Sequence, residues 1–197
     1  MKQIEITVRL NEDKQTAMKK LSELGYKVIR QSDVDDIYMT TKLDELNADN
    51  IQYVLKKSIL LRKLTVNNTE IKKITYKNKE IDSNGNVISE QKVNLNCEDI
   101  DKAKKLFSYV DFKELVRVKY HVTVYEKDGI ELAFQDVENL GTLIEYENNE
   151  DFEGKSLEEI NDTKKNMYND IKKTEILITE ESDVKKAYEL IMKKIEK

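Results

Sequence analysis

Gln3-Ile4-Glu5-Ile6-Thr7-Val8-Arg9-Leu10 is apolar at every even position and polar or charged at every odd one. Side chains on a β-strand alternate between faces, so this stretch predicts a half-buried strand with Glu5 and Arg9 on the same side. The rhythm returns in Leu143-Ile144-Glu145-Tyr146-Glu147, where Glu145 and Glu147 share a face. It returns again between Leu115 and Tyr125, where Arg117, Lys119, His121 and Tyr125 do. Charges held on an ordered sheet face need a reason, and two readings are open. One is an antiparallel sheet with one face in water. The other is a face that holds a metal and an anionic ligand together. The sorting of signs favours the second, because acids gather on some strands and the cations Arg62, Lys77, Arg117 and Lys119 on others. Like charges on neighbouring strands repel unless something offsets them.

Working outward, Asn11-Glu12-Asp13 starts a helix in which Ala17, Leu21 and Leu24 recur at helical spacing before Gly25. Extended structure follows from Tyr26, and a strand over Asp36 to Thr41 has Asp36, Tyr38 and Thr40 on one face and Ile37 and Met39 on the other. Leu43 to Lys57 reads as a loop with a short helix. Ser58 to Thr65 and Ile71 to Lys79 read as strands, and Asp82-Ser83-Asn84-Gly85-Asn86 is a hairpin turn into a strand over Val87 to Leu95. From residue 96 the pattern restarts. At a constant offset Glu12 matches Glu98, Asp13 Asp99, Ala17 Ala103, Leu21 Phe107 and Tyr26 Phe112. This fits an internal strand-helix-strand duplication, although any two amphipathic helices would share several of these matches. Strands over Leu115 to Tyr125, Ile130 to Val137 and Leu143 to Glu147 bring the total to about eight, mostly antiparallel. Ser156 with Glu159 forms a capping box for a helix to Lys172. Ser182 is read as the start of a last helix with Val184, Ala187, Ile191 and Ile195 on its apolar stripe.

The chain has 197 residues, enough for one domain with a substantial core. The expectation is a single α+β domain over residues 1–197, with pseudo-repeat halves at about 1–95 and 96–150 and C-terminal helices over 156–197. A net charge of −5 argues against nucleic acid as the main partner, and no apolar run suits a membrane span. Nothing resembles a signal peptide, so the cytoplasm is the expected compartment. The single Cys97 excludes an internal disulfide and a thiolate zinc site, and reads as a buried, inert thiol. Glycine-rich phosphate loops and the G-x-S-x-G nucleophile pattern are missing. His121 is the only histidine, either a phosphate neighbour or a packed polar residue. Paired carboxylates such as Glu145 and Glu147 stand about 7 Å apart and suit a hard cation, magnesium or manganese, with cations opposite to clamp phosphate oxygens.

The arrangement resembles the CYTH superfamily of triphosphate tunnel metalloenzymes, which includes class IV adenylyl cyclases, thiamine triphosphatases and inorganic triphosphatases. The likeness rests on Gln3 to Arg9 against the family's E-x-E-x-K strand, and on Gln135-Asp136-Val137-Glu138-Asn139-Leu140-Gly141-Thr142-Leu143-Ile144-Glu145-Tyr146-Glu147 against D-x-V-x-x-L-G-x-F-x-E-x-E. Between them lie Asp36-Ile37-Tyr38, Leu61-Arg62, Ile74-Thr75-Tyr76-Lys77 and Arg117-Val118-Lys119, similar to further family strands. The resemblance implies an eight-stranded antiparallel barrel, closed or nearly closed, with helices packed outside. It implies Glu5, Glu145 and Glu147 as catalytic metal ligands for magnesium or manganese, and Arg9, Arg62, Lys77, Arg117 and Lys119 as phosphate holders. The partner would be a nucleoside triphosphate or inorganic polyphosphate, with the cyclase branch implying a homodimer. The activity implied is cyclisation of ATP to cyclic AMP and pyrophosphate, or hydrolysis of tripolyphosphate or thiamine triphosphate. The alternative is binding without turnover. Gln3, Thr7, Leu64 and Gln135 stand where the family pattern has Glu, Lys, a second strand cation and Asp.

Overall fold

The computed structural model describes residues 2–81 and 87–196. Its strands are β1 (Ile4–Arg9), β2 (Lys27–Thr40), β3 (Ile59–Val66), β4 (Thr69–Ile81), β5 (Val87–Asn96), β6 (Lys113–Lys127), β7 (Ile130–Val137) and β8 (Gly141–Asn148). They form one sheet in the order β1-β8-β7-β6-β2-β3-β4-β5, with every neighbouring pair antiparallel. Around it pack α1 (Lys14–Glu23), α2 (Ile51–Lys56), α3 (Ile100–Ser108), α4 (Leu157–Lys172) and α5 (Lys186–Ile195). The α+β class and the eight antiparallel strands are as expected. The turn read at Asp82 to Asn86 lies outside the described residues.

The sheet curls until its edge strands meet. Gln3 and Glu90 exchange both backbone hydrogen bonds at 3.0 Å, joining the start of β1 to β5. Past that pair, extended residues 177–184 run along the open edge of β1. The Thr7 N–H donates to the Ser182 carbonyl at 3.1 Å, and the Val184 and Thr179 N–H groups donate to the carbonyls of Thr7 and Arg9 at 2.9 and 3.0 Å. An exposed strand edge invites unwanted pairing, and this strap satisfies it. It also corrects the start of the last helix. Ser182 does not cap it; residues up to Val184 are committed to β1, and α5 begins at Lys186.

The helices form where local chemistry directs. Asp13 and Asp99, matched in the two halves, each accept a backbone N–H in the first turn of α1 and α3. Gly25 ends α1 at φ +88°, a conformation a side chain would strain. Ser156 and Glu159 make the expected capping box of α4. On the convex face, Ile4, Ile6, Val8, Leu132, Phe134 and Ile144 pack under α1 and α4, while Ile37, Met39 and Leu61 pack under α3. The concave face is apolar only at one end, where Val118, Tyr120, Val122 and Leu143 meet α2 and α5. Cys97 is half-buried, its thiol donating to the Asp99 carbonyl at 3.2 Å. Among the described residues no helix is long and apolar enough to cross a membrane.

Phe134 is fully buried, edge-on to Tyr125 at 5.2 Å. Phe134→Ala is expected to lower unfolding free energy in urea by about 3–5 kcal/mol, and Asp99→Ala by about 1 kcal/mol through loss of the cap.

Candidate functional site

Strand pairing builds the site row by row, since residues opposite one another in antiparallel strands share a face. Glu5 stands opposite Glu147 and Thr7 opposite Glu145 on β1 and β8. On β4 and β5, Lys77 stands opposite Lys92 and Lys79 opposite Glu90. Arg62 of β3 stands between Asp36 of β2 and Lys73 of β4. All of these except Glu90 line one concave cavity of about 290 Å³, which Lys185 and Lys186 enter from the strap and α5.

Acids and lysines neutralise one another there. Lys92 Nζ lies 2.9 Å from both Glu90 Oε1 and Glu147 Oε1 and 4.0 Å from Glu5 Oε2. Lys77 reaches Glu90 Oε1 at 3.3 Å, and Lys186 reaches Glu145 Oε2 at 3.2 Å and also donates to Gln135. Burial alone would raise the pKa of Glu5, but Lys77, Lys92, Lys79 and Lys186 overcome it and hold the carboxyl down at about 2. Glu145 is likewise pushed up by burial and held below the ordinary range by Lys186 and Lys77. Burial lowers Lys79, and Lys77 beside it adds to the shift, whereas Lys77 is held above its usual value by Glu5 and Glu90 despite burial. Glu90 is 2% exposed and its Oε2 has no hydrogen-bond partner among the described residues.

Deeper along β3, Arg62 grips Asp36 by two bonds, Nε to Oδ1 at 2.7 Å and Nη2 to Oδ2 at 2.6 Å, and donates to the Tyr120 hydroxyl at 3.1 Å. Burial and the Asp36 charge keep the Tyr120 phenol protonated far above its ordinary range.

Of the residues expected from sequence, Glu5, Glu145, Glu147, Lys77 and Arg62 come together in the cavity. Arg9, Arg117 and Lys119 do not. Arg9 is held at the end of β1 by Glu189 of α5, at 2.6 and 2.7 Å, and by the Leu140 carbonyl. Arg117 and Lys119 point to the convex side, Arg117 paired to Asp35 and Lys119 beside Asp33, Asp35 and His121. Strand parity is the cause, because Val116, Val118, Tyr120 and Val122 of β6 fill the concave core and turn the odd positions outward. His121 accordingly meets Asp33 at 2.8 Å on that outer side.

Lys79, Lys92, Glu90 and Lys186 were missed. Parity with Lys77 pointed to Lys79, and the Glu90-x-Lys92 pattern pointed to one shared face; nothing local signalled Lys186. Three carboxylates on facing positions of β1 and β8 supply hard oxygen donors of the type magnesium or manganese takes. In this arrangement lysines clasp those oxygens, and among the described residues no three acidic, His or Cys side chains converge as a metal site. The donor chemistry fits a hard ion, provided the Lys92 and Lys186 pairs open.

A curled eight-stranded antiparallel sheet with ionic groups sorted on its concave face defines an α+β half-barrel with a charged cavity. No family model matches the chain. It is 27% identical over 165 residues to a Methanocaldococcus jannaschii protein named "Putative adenylate cyclase", covering 84% of this chain and 83% of that one. A Pyrococcus horikoshii protein of solved structure superposes with a TM-score of 0.70 at 20% identity, covering 97% of this chain and 99% of that one. A solved structure from Vibrio parahaemolyticus, also titled a putative adenylate cyclase, gives 0.61 at 12% identity with 97% of each chain covered. These structures share the fold of this chain, and the sequence relative is in keeping with the resemblance of this chain's strand motifs to the CYTH superfamily.

A carboxyl made more acidic by folding stabilises the protein above its unfolded range, and that contribution disappears as pH falls through the folded value. The wild type is expected to lose stability between about pH 4.5 and pH 2 more steeply than Glu5→Gln, read as melting temperature against pH. Asp36→Ala strands Arg62 and is expected to cost about 3 kcal/mol in urea unfolding.

Proposed function

We propose that this chain binds a triphosphate in the concave cavity with magnesium or manganese and performs phosphorus chemistry on it. The candidates are cyclisation of a nucleoside triphosphate with release of pyrophosphate, or hydrolysis of the terminal phosphate. The observation that carries the reading is the set of four lysines, Lys77, Lys79, Lys92 and Lys186, gathered inside a curled sheet against Glu5, Glu145 and Glu147. The likeness to a relative named as a cyclase supports the first reaction.

In this reading the lysines bind and orient the phosphate oxygens, which replace the carboxylates as their partners. Glu5, Glu145 and Glu147 are thereby freed to hold the divalent ion. When bound, that ion spreads phosphate charge and sharpens the attacking oxygen. The chain's share is positioning and electrostatic stabilisation within a concave, partly solvent-shielded cavity. Arg62, committed to Asp36, flanks the ligand at the deeper end.

A second reading, binding without turnover, is favoured by one observation: Gln135 stands in place of an acid and accepts from Lys186, which leaves the metal site short of one negative charge.

Purified protein incubated with magnesium or manganese and, separately, ATP, tripolyphosphate and thiamine triphosphate tests both. The expected result is turnover of at least one, reduced about 10²-fold in Glu145→Gln, with Lys77→Ala weakening binding. Silence on all three with a ligand-induced rise in melting temperature selects the second reading. No turnover and no shift defeats both.

A further inference from the structure

The concave face is not ionic throughout. Ile71, Leu64, Val34, Tyr120 and Val137 stand opposite one another on five adjacent strands, β4, β3, β2, β6 and β7, and form an unbroken apolar row. Leu64, Ile71 and Tyr120 of that row line the same cavity as the lysines, and Tyr188 of α5 joins them. Leu64 is only half-buried and Ile71 is 39% exposed, so apolar surface is left bare inside the cavity. Water against such a wall is unfavourable, and covering it is a gain.

Leu64, where the resemblance implies a second strand cation, gives the cavity an apolar side chain instead. The two ends are well separated. Lys77 and Ile71 lie six residues apart on one strand, about 20 Å, and an inorganic tripolyphosphate is too short to touch both. The Asp36–Arg62 pair borders the apolar row and offers it a polar flank.

We infer that the cavity is built for a triphosphate ester carrying an apolar or flat aromatic organic group, and not for inorganic tripolyphosphate. The phosphates lie toward Lys77 and Lys92, and the organic group lies against Leu64, Ile71 and Tyr188. This rests on the triphosphate reading above and orients the ligand within it.

Isothermal titration at fixed magnesium with ATP, GTP, thiamine triphosphate and tripolyphosphate tests it. At least one organic triphosphate should bind ten or more times more tightly than tripolyphosphate. Leu64→Arg should narrow that gap from both sides, strengthening tripolyphosphate and weakening the organic ligand. Ile71→Thr, which trims the wall without adding charge, should weaken the organic ligand several-fold and leave tripolyphosphate unchanged. Tripolyphosphate binding as tightly as every organic ligand, or variants that shift all ligands alike, would overturn the inference while leaving the triphosphate reading intact. Failure of all four to bind would remove that reading and this one with it.

Discussion

Half-buried ammonium groups crowd one cavity only if carboxylates stand among them, and in this protein three lysines and three carboxylates arrive from opposite edges of one sheet. Lys77, Lys79 and Lys92 ride on β4 and β5, whereas Glu5, Glu145 and Glu147 ride on β1 and β8. Curling the sheet is what brings Lys92 within 2.9 Å of Glu147 and 4.0 Å of Glu5. Closure and charge pairing are therefore one event. Lys77 and Lys92 stand directly opposite one another on β4 and β5, and were the sheet to open Lys92 would lose Glu5 and Glu147, leaving that like-charge pair less offset. Glu90 sits at the seam in both senses. Its backbone closes the sheet with Gln3, and its carboxylate stands among Lys77, Lys79 and Lys92.

The C-terminal segment completes what the strands begin. Residues 177–184 satisfy the free edge of β1, and Asp183 accepts the N–H of Val87 at 3.1 Å, tying the strap to β5 as well. The chain then turns into α5 with Lys186 at its first position, aimed at Glu145 and lying over the Tyr120 ring at 4.6 Å. Arg9 secures the same helix through Glu189. A residue that the family resemblance assigned to phosphate thus serves to hold in place the helix that delivers a different cation.

Gln3 and Gln135 stand where the family pattern has acids and Thr7 and Leu64 where it has cations, while the cavity gathers Lys77, Lys79, Lys92 and Lys186 against Glu5, Glu145 and Glu147. Such a balance suits a strongly anionic ligand. The carboxylates that the resemblance implies as metal ligands are themselves partners of these ammonium groups, Glu147 of Lys92 and Glu145 of Lys186.

Local periodicity determined a good deal. Alternation in Gln3 to Leu10 and Leu143 to Glu147, the caps at Asp13, Asp99 and Ser156, and the pairing of Asp36 with Tyr38 on one face of β2 are all written in neighbouring residues. They depend on backbone geometry that spans only a turn or a pleat. Periodicity states which side chains share a face, but not which face turns inward. For β6 that choice fell to the packing of Val118, Tyr120 and Val122 against α5, which sent Arg117 and Lys119 outward. The start of α5, the strap on β1 and the meeting of Lys92 with Glu147 were likewise decided only by the tertiary structure. Each depends on contacts between segments far apart in the chain, and no short stretch of sequence encodes the energy of a partner it has not yet met.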